Sequence, residues 1–343
     1  MKNKIDLDEP IPMLPPFEVT ACVSILSEVK DYAHEMCNIP EMWKSTKGAG
    51  VKVVVLDTGV AEHPDLQLAG TADFTRSGAT DRNGHGTHCA GIIGAIADNG
   101  MGIAGIAPEC EMYAGKVLGD NGSGSFRDVA AGIRWAVDTV KADVINLSLG
   151  VPAGFPEVSE MRKACDYALE RGVMIVGAAG NDAGLVGQPA CYDSVMAVAA
   201  VDNQKQHARF SNKGKQVEFA AAGVDVYSTY LRRSYAKLSG TSMASPAIAG
   251  LVALVIADAK KDGEVITPYV VKQKLLRIAF DVGPTGFDEM YGHGIPVFRP
   301  KALDPNRDNP EKPIVEDKQK IEDMRRFWGI VFSRIRHVFA PIK

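Results

Sequence analysis

Continuous apolar, β-branched runs alternate along this chain with stretches of helical period. After its opening lysine, Lys52–Leu56 carries no polar residue, and Val144–Leu149, Val173–Ala178 and Val195–Val201 read nearly the same way. Such runs are typical of strands buried on both faces. Between them, Phe126–Val140 and Ser159–Arg171 read as helices. The alternation predicts an α/β domain, a mostly parallel sheet with helices on both faces. Functional groups should then gather at the carboxyl ends of the strands. Residues 1–38 form an extension punctuated by Pro10, Pro12, Pro15 and Pro16, which disfavours helix and suggests an extended arm. The main domain is expected over 39–303, followed by a charged linker over 304–323 and a last segment over 324–343. In that last segment Phe327, Trp328, Ile330, Val331, Phe332, Ile335, Val338 and Phe339 share one helical face. Arg325, Arg326, Arg336 and His337 share the other with Gly329 and Ser333, and Arg334 is the exception.

Composition narrows the picture a little. In 343 residues, 46% hydrophobic and 23% charged content suits one large globular domain with tails, and the net charge of −4 gives no reason to expect nucleic acid. No run approaches the roughly 20 apolar residues of a membrane span. The start, Met1–Pro10, lacks the apolar core of a secretory signal, so a cytoplasmic location is expected. Cys22, Cys37, Cys89, Cys110, Cys165 and Cys191 are scattered without paired or metal-like spacing. Reduced thiols follow from a cytoplasmic location, although six cysteines could also pair.

The chemistry lies in three short motifs: Asp57-Thr58-Gly59 after a buried strand, Gly84-His85-Gly86-Thr87-His88, and Gly240-Thr241-Ser242-Met243-Ala244-Ser245-Pro246. Taken singly, Asp57 also suits a turn and Ser242 a helix cap. Together, Asp, His and Ser in that order match one known chain order of a catalytic triad. A serine hydroxyl needs a base within hydrogen-bond reach, and a helix opening at Ser242 would aim its N–H dipoles at a developing oxyanion.

The three motifs resemble the subtilisin-like serine proteases, the subtilases, over roughly residues 39–303. The resemblance implies a subtilisin-like three-layer α/β fold and a serine endopeptidase acting on polypeptides through an acyl-enzyme. Ser242 would be the nucleophile, His85 the base, Asp57 its orienting partner, and Asn181 in Ala178-Ala179-Gly180-Asn181 the oxyanion donor. Gly122-Ser123-Gly124 and Ser148-Leu149-Gly150 would flank an extended substrate as added strands. Leu118, Phe126 and Val129 would line pockets or serve as core. A roomy apolar first pocket is expected between Ser148–Gly150 and Ala178–Gly180, closed by the loop Gly187–Tyr192. A structural calcium ion would use Asp65, Asn99 and the carbonyls of Ile96, Met101 and Ile103, although the N-terminal region that normally adds a ligand departs from the family pattern. No organic cofactor is implied. Cys89, one helical turn after His85, is expected to act as a small buried hydrophobe.

The short extension most resembles the organisation of intracellular subtilisins, where an N-terminal arm blocks the cleft. Pro10–Pro16 would do this here, or the arm packs elsewhere. The basic amphipathic C-terminal segment suggests an anionic membrane surface or a partner groove, against docking on its own domain. The rival to an active protease is a catalytically silent peptide-binding scaffold, which the intact Asp57, His85, Asn181 and Ser242 disfavour.

Overall fold

The computed structural model describes residues 5–23 and 27–299. The expected linker and basic C-terminal segment lie outside them.

In chain order, two arm strands, β1 (Ile11–Pro12) and β2 (Glu18–Val23), precede the short helices α1 (Tyr32–Met36) and α2 (Ile39–Trp43). Then come β3 (Lys52–Asp57), β4 (Gly70–Asp73), α3 (His85–Gly94), β5 (Glu111–Lys116), β6 (Ser123–Gly124) and α4 (Phe126–Trp135). After these run β7 (Val144–Leu147), α5 (Ser159–Glu170), β8 (Met174–Ala178), β9 (Val195–Val201) and β10 (Val217–Ala222). A hairpin of β11 (Val226–Thr229) and β12 (Tyr235–Ser239) leads into α6 (Thr241–Lys261) and α7 (Pro268–Ile278).

Seven strands form one sheet in the order β10-β9-β8-β7-β3-β5-β4, and every pairing in it is parallel. Alternation along β3 explains its two-sided burial. Val53 and Val55 enter one apolar core with α3 and α6, while Val54 and Leu56 enter a second with α4 and α5. That is the expected three-layer α/β architecture. Local chemistry fixes the helix starts: Ser125 accepts from Asp128 N ahead of α4, and Thr267 accepts from Val270 N ahead of α7. Helix α4 runs on through a π-helical turn, Ala136–Val140, to Lys141 in the left-handed region.

Helix α6 is apolar on nearly every side because it crosses the middle of the core. Contrary to the expectation from sequence, it is long and apolar enough to span a membrane, but 94% of its most apolar window is buried inside the fold. The carboxyl ends of β3 and β8 and the start of α6 converge on one end of the sheet. The arm belongs to the same compact unit as the sheet, which runs from residue 1 to 299.

Candidate active site

Asp57 ends β3, His85 opens α3, and Ser242 is the second residue of α6; all three are fully buried. His85 Nδ1 lies 2.9 and 3.0 Å from the two carboxylate oxygens of Asp57. Thr58 N also donates to Asp57 Oδ1 at 2.7 Å. Burial pulls the His85 imidazole down, but the charge and hydrogen bond of Asp57 more than offset it and hold His85 well above its ordinary value. An Asp so placed favours the charged imidazole that forms when a serine gives up its proton.

The third contact is open in this arrangement. Ser242 Oγ donates to the Ser148 carbonyl at 3.3 Å, and the buried His85 Nε2 has no hydrogen-bond partner. The start of α6 is pinned from behind: Ser148 Oγ and Cys89 Sγ both donate to the Ser242 carbonyl, at 2.8 and 3.4 Å. Cys89 is fully buried and its thiol is pushed up by burial, as a small hydrophobe's would be.

Asn181 lies just past the end of β8. Its amide oxygen accepts from Thr241 N and Thr241 Oγ1 at 2.9 and 2.7 Å, which fixes the amide and leaves its N–H₂ facing the cleft. The preceding Gly180 sits at φ +111°, and a Cβ there would lie 2.3 Å from Asn212 Nδ2. Only glycine allows the turn that delivers Asn181.

The arm occupies the cleft. Strand β1 pairs antiparallel with β6, Ile11 opposite Gly124 and Pro12 opposite Ser123. Met13 N and Leu14 N donate to the Gly122 carbonyl, and Gly150 N donates to the Met13 carbonyl at 2.7 Å. Asn181 Nδ2 then donates to the Pro16 carbonyl at 2.7 Å, and the Phe17 ring stands 4.9 Å from the His85 ring. Beyond that point β2 pairs antiparallel with β12. Thus Gly122, Ser123, Gly124 and Gly150 hold an extended peptide across the catalytic centre. Met13 is buried in one apolar cluster with Leu118, Phe126, Val129 and Leu149. Ala178 is buried at the end of β8, beside Gly180. The Gln188 carbonyl of the loop Gly187–Tyr192 would lie 2.4 Å from a Cβ on Gly150, so that loop closes tightly on Gly150.

The expected calcium residues also come together. Asn99 Nδ2 donates to Asp65 Oδ1 at 2.6 Å, and Ile103 N and Tyr235 OH donate to Asp65 Oδ2 at 2.9 and 3.2 Å. Ile96 N donates to the Asp65 carbonyl, and Met101 N to Asn99 Oδ1. The sequence reading lacked an N-terminal contributor; Glu28 is adjacent, its Oε2 accepting from Asn99 N at 3.2 Å. Asp65, Asn99 and Glu28 carry hard oxygens of the kind calcium takes, and in this arrangement the Asp65 oxygens accept from Asn99 Nδ2, Ile103 N and Tyr235 OH, while Ile96 and Met101 meet the cluster through their N–H groups.

Two further residues, Lys116 and Asp81, hold the site and were not singled out from sequence, and Thr58 of the first motif joins them. Lys116, buried at the end of β5, donates to the Thr58 carbonyl at 2.7 Å and to Asp120 Oδ1 at 2.9 Å. Asp81 and Thr58 link the Asp57 turn to the His85 helix. One signal was available: an acid and an asparagine just before a helix start, in Asp81-Arg82-Asn83-Gly84-His85.

Comparison with known proteins matches residues 48–294 to the Subtilase family. The chain is 45% identical over 251 residues to a thermostable alkaline protease of Halalkalibacterium halodurans, covering 72% of this chain and 66% of that protein. It is 43% identical over 257 residues to Subtilisin DY of Bacillus licheniformis, covering 73% and 89%. A third relative, the minor extracellular protease Epr of Bacillus subtilis, is 39% identical over 275 residues, covering 79% of this chain and 41% of Epr.

Proposed function

Because this chain belongs to the subtilase family and is a serine endopeptidase, we propose that it cuts polypeptides with broad specificity through an apolar first pocket, and that its own N-terminal arm holds it closed. One observation carries the second part: the Pro16 carbonyl accepts from Asn181 Nδ2, where a substrate carbonyl would sit.

Catalysis would begin with the arm displaced and Ser242 Oγ turned from the Ser148 carbonyl to His85 Nε2. As Oγ attacks the substrate carbonyl, His85 takes its proton, while Asn181 Nδ2 and the Ser242 N–H receive the oxyanion. His85 then gives that proton to the leaving amine and the C–N bond breaks. Water, deprotonated by His85, hydrolyses the acyl-enzyme and regenerates Ser242.

Several features support the arm as inhibitor. Met13 is buried where an upstream substrate side chain would lodge, and Phe17 covers His85. Pro15 and Pro16 lead up to the carbonyl held by Asn181, and neither has a backbone N–H to donate. The test is peptide hydrolysis by the intact chain beside Ser242→Ala and Met13→Asp. A charge in the Met13 pocket should free the cleft and raise activity above that of wild type whose N-terminus is intact by mass spectrometry, with Ser242→Ala as the inactive control. Equal rates for wild type and Met13→Asp would remove the arm from the account.

Calcium at Asp65, Asn99, Glu28 and the carbonyls of Ile96, Met101 and Ile103 would stiffen the loop against the arm's root. Chelation should then lower the melting temperature, and Glu28→Gln should weaken calcium binding measured by calorimetry.

For location we propose a reducing, cytoplasmic setting, since the described Cys37, Cys89, Cys110, Cys165 and Cys191 are free thiols. The basic amphipathic segment 324–339 is proposed to bind an anionic membrane surface or a partner groove. Liposome co-sedimentation that is equal with and without residues 324–343 would dismiss the membrane.

A further inference from the structure

We propose that Asp81 is a positioning residue for catalysis: its carboxylate locks the Asp57 turn to the first turn of the His85 helix. The inference goes beyond the endopeptidase assignment, because it concerns how the distance between two catalytic side chains on separate elements is set.

Asp81 is almost wholly buried and receives hydrogen bonds from both sides. Its Oδ1 accepts from Thr58 Oγ1 at 2.9 Å, Asn83 N at 2.8 Å and Gly84 N at 3.0 Å. Its Oδ2 accepts from Thr87 N at 3.0 Å and Thr87 Oγ1 at 2.6 Å. Thr58 Oγ1, having given its hydrogen to Asp81, accepts from Gly86 N at 3.0 Å. The residues before and after Asp81's partners are the catalytic ones: Asp57 precedes Thr58, and His85 lies between Gly84 and Gly86.

This arrangement answers every amide of the α3 first turn. His85 N donates to Asn83 Oδ1, Gly86 N to Thr58 Oγ1, Thr87 N to Asp81 Oδ2 and His88 N to the Gly84 carbonyl. A carboxylate here also complements the positive end of the helix dipole. Steric contact backs the same geometry, because a Cβ on Gly86 would lie 2.1 Å from the Gly59 carbonyl. All five contacts to Asp81 arrive from donors, and an asparagine would turn an N–H₂ towards one of the two sets. The α3 start would then shift against Asp57, and small misplacements of catalytic groups are expensive in rate.

The test uses the intact chain with Asp81→Asn, Thr58→Val and Thr58→Ser. Each is assayed for kcat and KM on one fluorogenic peptide, for thermal stability, and by proton NMR for the low-field His85 Nδ1 resonance. Asp81→Asn should lower kcat by about 10- to 100-fold, the worth of a hydrogen bond to a charged group, with KM little changed. Its low-field resonance should shift or broaden while the fold persists. Thr58→Val should move both readouts in the same direction, and Thr58→Ser, which keeps the hydroxyl, should restore them. Folded Asp81→Asn and Thr58→Val with wild-type kcat and resonance would overturn the proposal. If Asp81→Asn does not fold, the two Thr58 variants decide it. The resonance is readable without turnover, so a failure of the proposed specificity or of arm release leaves this test intact.

Discussion

At Asn181 one side chain serves two partners in opposite directions. Its oxygen is held by Thr241, and its nitrogen donates to whatever carbonyl lies in the cleft, which here is that of Pro16. Asn181→Ala should therefore reduce kcat by about 10²- to 10³-fold, the magnitude known for the corresponding amide of subtilisin, a relative of this chain. The same change should weaken inhibition by an added peptide copying residues 10–23, because that peptide loses the same donor. Steady-state rates with and without the peptide check both halves. His85 offers a second reading at this scale. With Asp57 holding it above its ordinary 6.5, its imidazole should titrate above that pH in the intact chain. A His85 NMR titration with its midpoint at or below 6.5 would contradict this. Asp57, His85, Asn181 and Ser242 were all legible in sequence, because each sits in a short motif whose neighbours declare a turn or a helix start. Asp81 was not, because its role rests on Thr58, over twenty positions upstream, as much as on the residues beside it.

Among the elements, the arm and α3 contribute most to the site. Four prolines made the arm readable as extended, but only register placed it: β1 on β6 upstream of the catalytic centre and β2 on β12 downstream. Those pairings are backbone hydrogen bonds, which carry little side-chain signature. Helix α3 is positioned by close approach as well as by polar contacts. A Cβ on Gly91 would lie 2.3 Å from both Ser228 Oγ and Thr229 Oγ1 of β11, which themselves donate to the carbonyls of His88 and Thr87. Gly91→Ala should thus cost about 1–3 kcal/mol by overpacking. That corresponds to a fall in melting temperature of roughly 2–5 °C for a domain of this size, readable by calorimetry. An unchanged melting temperature would mean that the α3–β11 contact gives way freely.

For the whole molecule, buried histidines set the response to acid. His88 is enclosed with Nε2 against the carbonyls of Val226 and Ala236, and burial lowers it from 6.5 to about 3. His34, against the Gly105 carbonyl, is lowered by burial to about 4. Below pH 6.5 the unfolded chain takes up protons at these sites and the folded chain does not, so stability falls as pH drops. Each residue contributes about 1.4 kcal/mol per pH unit until its folded value is reached. Asp31, raised by burial from 3.8 to about 6, acts oppositely, since the folded chain binds the extra proton between those values. His63 and His207 are lowered by burial as well, so with His34 and His88 they outweigh Asp31 and leave a net loss of stability from pH 6 to pH 4. His34→Gln, which keeps a donor for Gly105, should flatten that slope in urea melts at stepped pH; an unchanged slope would clear His34. The α/β class and the three layers followed from the sequence, because burial on two faces and helix starts leave local patterns of residue type, and the short motifs around Asp57, His85, Asn181 and Ser242 marked where a site would form. Tertiary structure decided the rest. It put Pro16 on Asn181, Phe17 over His85, Glu28 beside Asn99 and Asp81 between two catalytic elements. Each of these is a meeting of distant segments through single hydrogen bonds or ring contacts, and a linear pattern has no term for the distance between them.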